Sequence, residues 1–239
     1  MRTIFRFSIC IVILMIASIA IASAQNGFFP DKVGKVLVYV QNNAAGEPKS
    51  YSKLTVKDVK GSSNHMTISY VTEILDKDRK STSNPPVEIP LKMISKNGVM
   101  IMDMKGMFTV PQKDQRIKME ISGNPMELPN SLEPGQLLKD ADITMNMDMG
   151  IMKLKTTMKM TGGKCLAIED VTVPAGTFTC SKVTQTVSTS TVGENAAMAG
   201  QDSTSQTISW YAHGIGIVKT ETYDDKGQLK GSSELVEMN

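Results

Sequence analysis

Histidine is nearly absent from this chain, which has only His65 and His213. They stand far apart, with neither the i, i+4 spacing nor the neighbouring cysteines of a zinc site. An excess of charge of one sign is also lacking: 26 basic side chains face 24 acidic ones, which leaves no net field to draw a nucleic acid. No Gly-x-Ser-x-Gly elbow occurs, and Cys180 falls in a strand pattern rather than at a helix start that would stabilise a thiolate. Gly214-x-Gly216 lacks the third glycine of a phosphate loop, with Lys219 in its place and no helix pattern following. Glu169, Asp170, Glu221, Asp224 and Asp225 sit at turns and on strand faces in ordinary spacing. With no residue set that meets the geometry of catalysis, the expectation is a protein that is not an enzyme and has no cofactor. Past Ile21 no apolar run is long enough to span a membrane, and no basic amphipathic helix is evident to lie on one.

At the amino end, Arg2 and Arg6 precede the apolar run Ile9 to Ile21, and Ala22-Ser23-Ala24 supplies the small residues of a cleavage site. Residues 1–24 therefore read as a secretory signal peptide. Cys10 lies inside the apolar run after Phe7-Ser8-Ile9, unlike a lipidation cysteine, so the mature chain is expected to be unlipidated. Export to the periplasm, or beyond the cell, follows. Removing the leader with its two arginines leaves 24 basic and 24 acidic side chains on residues 25–239, enough chain for a single β-rich domain.

Strand patterns arrive every ten to fifteen residues, at Val33 to Val40, Tyr51 to Val59 and Met66 to Leu75, with charged or glycine turns between them and no convincing helix. That grammar predicts an all-β fold, an antiparallel meander forming a curved half-barrel or open barrel. Asn97-Gly98 is the strongest hairpin signal and sets a register in which Met93 meets Met102, Ser95 meets Met100 and Leu91 meets Met104. The other face carries Ile94 with Ile101 and Lys92 with Asp103, a pattern that suits solvent. Ile117 to Ile121 suggests a further strand, and Pro129 to Asp140 a crossover loop with one helical turn. A hairpin around Met149-Gly150 would place Met147 opposite Met152 and Met145 opposite Leu154, with Met158 and Met160 continuing that side; a glycine bulge in one long strand would give the same change of phase. Ser188 to Ser205, rich in Ser, Thr, Gly and Ala, reads as a loop, and His213 as a solvated turn residue.

Cys165 and Cys180 remain after the leader, in a compartment that permits oxidation. An Ala175-Gly176 hairpin loop would put Cys180 opposite Val171 and Cys165 opposite Thr186, too far apart for a disulfide. A longer loop or a bend near Glu169 would restore the bridge, so both states stay open.

Thirteen of the eighteen methionines lie between Met93 and Met160. Such side chains serve a plain core, or line a deformable cavity for an apolar guest. The candidate ligand-binding residues are Met93, Met100, Met102, Met104, Met145, Met147, Met152, Met158, Met160 and Trp210. Thioethers also select Cu(I), for which Met100, Met102, Met145 and Met147 would be the ligands if the two hairpins were neighbours. A third possibility is an envelope subunit whose exposed strand edge captures a protein partner.

Two stretches carry a family resemblance. TVPAGTF at Thr172 to Phe178, followed by Trp210-Tyr211-Ala212, the pair Gly214 and Gly216, and VKTETYD at Val218 to Asp224, resembles the bacterial secreted family known as domain of unknown function 3108. PNSLEPGQLLKDADI at Pro129 to Ile143 extends the likeness, which covers most of the exported chain. The family has no agreed activity. The resemblance implies a β-rich open barrel similar to periplasmic lipoprotein carriers, and lipid or acyl-chain binding enters by analogy with those carriers.

Overall fold

The computed structural model describes residues 27–62, 65–83, 86, 88–103, 118–148, 150, 152–193 and 201–239; residues 1–24, which the sequence pattern marks as a leader, lie outside them. Among the described residues all extended structure is antiparallel and there is no helix. The strands are β1 Val36–Asn43, β2 Pro48–Ser62, β3 His65–Leu75, β4 Glu88–Lys96, β5 Val99–Asp103, β6 Lys118–Asn124 and β7 Met126–Pro129, then β8 Ala141–Asp148, β9 Lys153–Val173, β10 Gly176–Gly193, β11 Gln201–Ala212, β12 Gly216–Tyr223 and β13 Leu229–Met238.

They form one thirteen-stranded sheet in the order β6-β8-β9-β10-β11-β12-β13-β1-β2-β3-β4-β5-β7. The two ends of that order, β6 and β7, are separated in sequence by Pro125 alone. The sheet must therefore curl until its ends meet, which gives a nearly closed barrel and leaves little open edge. Met126, paired with Met102 across β5 and β7, completes the approach by packing on Ala141, Ile143 and Met160 of β8 and β9. The main core gathers side chains from around the sheet, among them Val56, Ile68, Tyr70, Met93, Met100, Leu128, Cys165 and Tyr211. A second cluster, centred on Leu37, Val173, Cys180, Trp210, Val218 and Leu235, lies where the Pro174-Ala175 turn returns to β13, with the Ala175 N–H donating to the Leu235 carbonyl.

One end of the main core is filled by the first described segment, Gly27 to Pro30. Phe28 and Phe29 are buried, at 0% and 7% exposure. Phe28 stacks on His213 with ring centroids 4.4 Å apart, and the Gly214 N–H donates to the Gly27 carbonyl at 3.2 Å. The Tyr70 hydroxyl donates to the Pro30 carbonyl at 2.7 Å in a buried setting. Gly216, at φ +96°, leaves room for the Phe29 ring, which a Cβ there would meet at 3.1 Å. His213 is thus half-buried beneath an aromatic ring rather than a solvated turn residue; of the glycine pair, Gly216 serves close packing, while Gly214, at φ +70°, is exposed in the turn.

Register departs from expectation in three places. In β8 and β9, Met147 faces Leu154, Met145 faces Thr156 and Ile143 faces Met158, a slide of two residues because the connection takes four residues instead of two. The side-chain period is two, so the slide leaves every residue on its expected face. The β9–β10 turn is Pro174-Ala175, where proline presets the first loop angle, and Phe178 faces Val171 while Cys180 faces Glu169. Finally, the Ser188 to Ser205 region is not simply a loop: β10 runs to Gly193 and β11 begins at Gln201. Hydroxyl pairs hold β10 where apolar alternation is missing: Ser188 with Thr204 of β11 at 3.2 Å, and Thr191 with Thr156 of β9 at 3.1 Å. The stretch Pro129 to Asp140 contains no helical turn; β7 ends at Pro129, and Leu137 bridges to Lys164.

The cysteines are separate buried thiols. Cys165 lies opposite Val183, three residues along β10 from Cys180. Three strand residues span about 10 Å, beyond the Cα separation of ~7 Å that a disulfide tolerates. Burial raises the pKa of both, that of Cys180 to about 11 with Asp170 and Glu169 adding to the effect. The intact mass should therefore match the fully reduced polypeptide, and both thiols should react with an alkylating agent only after unfolding. Phe28→Ala should cost about 3–5 kcal/mol in a denaturant titration, because the emptied volume lies inside the main core.

Candidate functional site

The β4–β5 hairpin keeps the register its turn demands. Asn97 and Gly98 both have positive φ, 52° and 78°, as a two-residue type I′ turn needs. Met93 pairs with Met102, Ser95 with Met100, Ile94 with Ile101 and Lys92 with Asp103. Met93 and Met100 are 1% and 2% exposed in the main core, and Ser95 is buried beside them. The opposite face is not simply wet. Ile94 and Ile101 are half-buried because they form one wall of a crevice of about 470 Å³.

The other wall comes from the far end of the sheet order. Ile121 of β6 and Ile143 of β8 supply apolar surface, and Met102 and Pro125 lie between the walls. Ile143 is 6% exposed, and Ile121 packs against the same small cluster. Among the described lining residues the polar side chains are Asp103 at the end of β5, and Ser122 and Asn124 at the end of β6. The crevice thus occupies the seam where the barrel's two ends are joined, and it combines aliphatic walls with a short polar stretch.

A groove of similar size, about 480 Å³, lies on the outer end of β6, β8 and β9. Lys118, Glu120, Asp148, Lys153 and Lys155 line it, with Met147 and Leu154. Charges of both signs make it a poor match for an apolar guest, which would have to displace their hydration.

The structure distributes the candidate methionines instead of gathering them. Met93 and Met100 belong to the main core, and Met160 to the small cluster with Ala141 and Ile143. Met145 faces Ile121 and Thr156, and Met147 faces Met119 and Leu154; both are half-buried, as are Met152 and Met158. Met102 alone among the named methionines lines the crevice, while Met104 lies outside the described residues. The hairpins carrying Met100, Met102, Met145 and Met147 are not neighbours in the sheet order, so adjacency of strands does not bring these four thioethers together. Ile94, Ile101, Ile121 and Ile143 are the lining residues that sequence reasoning passed over. One signal was available, since an Ile–Ile pair beside a Lys–Asp pair is an unusual thing to leave facing water.

Trp210 is placed elsewhere, buried in the second cluster and held by a ladder of charges. Its indole N–H donates to Glu169 at 2.7 Å, and Lys182 and Lys219 lie 5.1 and 5.5 Å from its ring. Lys182 pairs with Glu169 at 3.2 Å, and Lys219 with Glu221 and Glu234 at 3.0 and 3.4 Å. The Tyr223 hydroxyl donates to Glu221 at 2.6 Å. Five consecutive strands of the sheet, β9 to β13, each contribute to this ladder. It leaves the indole N–H occupied and both lysines engaged.

A family model covers residues 32–235. The chain belongs to the DUF3108-like family. Two crystal structures are similar to this DUF3108-like chain. One is a candidate exported protein with YmcC-like fold from Bacteroides fragilis, 20% identical, with a TM-score of 0.67 over 89% of this chain and 99% of that one. The other is a candidate lipoprotein from Parabacteroides distasonis, 21% identical, with a TM-score of 0.68 over 89% of this chain and 98% of that one. At these identities the likeness shows the fold. No curated protein matches the chain.

The charge ladder gives the protein a pH dependence of known sign. The hydrogen bond from Trp210, and then that from Lys182, hold the Glu169 carboxyl below its ordinary pKa. Burial pushes Glu221 up, but the bonds from Tyr223 and Lys219 outweigh it and leave it lowered. A lowered folded-state pKa contributes stability above the unfolded value, and that contribution is lost as pH falls through the folded one. Denaturation followed by Trp210 fluorescence should show stability falling through the acidic carboxylate range, and Glu169→Gln should flatten part of that fall. Glu169 is partly exposed, so the effect should shrink at high salt.

Proposed function

We propose that this exported protein is a non-catalytic binder of an apolar ligand, a lipid or acyl chain, held in the crevice at the barrel's seam. The observation that carries the reading is the crevice itself. Its volume of about 470 Å³ lies within the range of roughly 300–1,000 Å³ typical of small-molecule sites. Its walls are isoleucine, methionine and proline with a few polar groups at one end, the composition expected of a site for an amphiphile. Met102 adds a flexible thioether that re-packs around chains of different shape.

The protein's setting agrees with this role. The leader pattern at residues 1–24 supports export to the periplasm, and the similar fold from Bacteroides fragilis belongs to a candidate exported protein. No helix among the described residues is long and apolar enough to cross a membrane. A lipid handled outside the cytoplasm needs shelter from water, which a partly enclosed aliphatic crevice provides.

The test uses an environment-sensitive apolar dye such as N-phenylnaphthylamine. Wild-type protein should bind it, and Ile121→Asp should weaken binding by roughly tenfold or more, because a carboxylate on the apolar wall must be desolvated by the guest. Met102→Leu preserves apolar volume and should bind nearly as wild type does. Far-ultraviolet circular dichroism would confirm that Ile121→Asp keeps its β-structure. A folded Ile121→Asp protein with unaltered affinity would remove the crevice as the site.

A further inference from the structure

We propose that Met119, Met145 and Met147 form a thioether site for a soft monovalent cation, Cu(I) or Ag(I). The site follows from the register of β6, β8 and β9. Met119 stands directly opposite Met147, and Met145 opposite Ile121, in a pairing that runs from Lys118 to Asn124 without a bulge. Cβ atoms of an opposed pair lie about 5 Å apart, and diagonal neighbours about 7–8 Å. Met145 and Met147, two residues apart on one strand, share a face at about 7 Å. The three side chains thus mark a triangle on one surface of the sheet. Three rotatable bonds in each allow the sulfurs to converge on a single ion.

The surroundings suit such an ion. Lys118, Glu120, Asn146 and Asp148 alternate with the methionines and so project from the opposite face. On the next strand Lys153 and Lys155 pair with Asp148 and Asn146 and share their face, while Leu154 faces Met147 and Thr156 faces Met145. The methionines therefore have Ile121, Leu154 and Thr156 beside them, and the Thr156 hydroxyl is already engaged with Thr191 at 3.1 Å. Among these described neighbours sulfur is the donor that remains. Uncharged thioethers select Cu(I) over harder ions, which take carboxylate, carbonyl or water oxygen.

The core of the described residues does not use the three. The main core takes Met66, Met93 and Met100, with Met102 packed against it, and the small cluster takes Met126 and Met160. Met119, Met145 and Met147 belong to none of the buried clusters of the described residues, and each is half-buried. Met147 also lines the charged groove at this end of the sheet, which gives an approach from solvent. None of the three lines the seam crevice, so the site is independent of the amphiphile reading.

Ag(I), which keeps its oxidation state in air, is the probe, in chloride-free buffer. Isothermal titration should show one Ag(I) bound per chain. Methyl NMR of isotope-labelled methionine should show the Met119, Met145 and Met147 signals moving while those of Met93 and Met100 stay. A triple variant, Met119→Leu, Met145→Leu and Met147→Leu, keeps apolar volume and should lose the ion while retaining the circular dichroism of wild type. Thioethers carry no titrating proton, so the affinity should be constant from about pH 5 to 8, unlike that of a histidine or thiolate site. Silver uptake by the triple variant equal to that of wild type would assign the ion to the cysteines or another group and overturn the site. Wild-type binding that weakened with acid would do the same, as would the absence of any binding. If the triple variant failed to fold, the wild-type methyl signals would decide: three that stayed in place at saturation would end the proposal.

Discussion

Pro125 is the sole residue between β6 and β7, and those two strands are the opposite ends of a thirteen-stranded sheet. A one-residue connection cannot span a flat sheet of that width, which at ~4.8 Å per strand would approach 60 Å. The chain therefore imposes closure as a covalent condition. Proline suits the point, because it donates no hydrogen bond to either strand and so belongs at an edge. Once the ends are tied, the inward side chains have one place to go. The main core then draws on strands from β2 to β12, and Met126 reaches across the join to Ala141 and Ile143.

Closure also leaves a seam. Where the ends meet, side chains from both of them make the contact, and between Ile94, Ile101, Ile121 and Ile143 it is incomplete. Elsewhere Phe28 and Phe29 stop one end of the core, and the Trp210 ladder binds β9 to β13 together through charge and ring contacts. The groove of similar size on β6, β8 and β9 is lined by charges of both signs, so the apolar space for a guest lies where the architecture has its discontinuity. The functional proposal follows from that distribution of packing, and family membership by itself assigns no activity.

Much of the architecture could be read from the residues because strand grammar is local. Asn97-Gly98 determined the β4–β5 register residue for residue. In β8 and β9 the expected turn was two residues too short, and period-two alternation still put Met145 and Met147 on the expected side. What failed to show was non-local or unpatterned. The hydroxyl-rich ends of β10 and β11 lack apolar alternation, so nothing in them distinguishes a strand from a loop until their partners are known. The methionine excess suggested one surface, but closure divides it between the main core and the small cluster near the seam. The crevice walls come from strands at opposite ends of the sheet order, and no local spacing announces that Ile94 and Ile121 share a space. Trp210 gave no sign of its ladder, because Glu169, Lys182 and Lys219 reach it from three other strands.

The most direct measurement is native mass spectrometry of the wild-type protein purified from the cells that make it, compared with the same sample after denaturation. Occupancy of the seam predicts a native mass exceeding the polypeptide by one amphiphile, with the excess lost on unfolding and the released molecule identifiable by fragmentation. A native mass equal to the polypeptide alone, unchanged after incubation with a lipid extract of the same cells, would contradict the account.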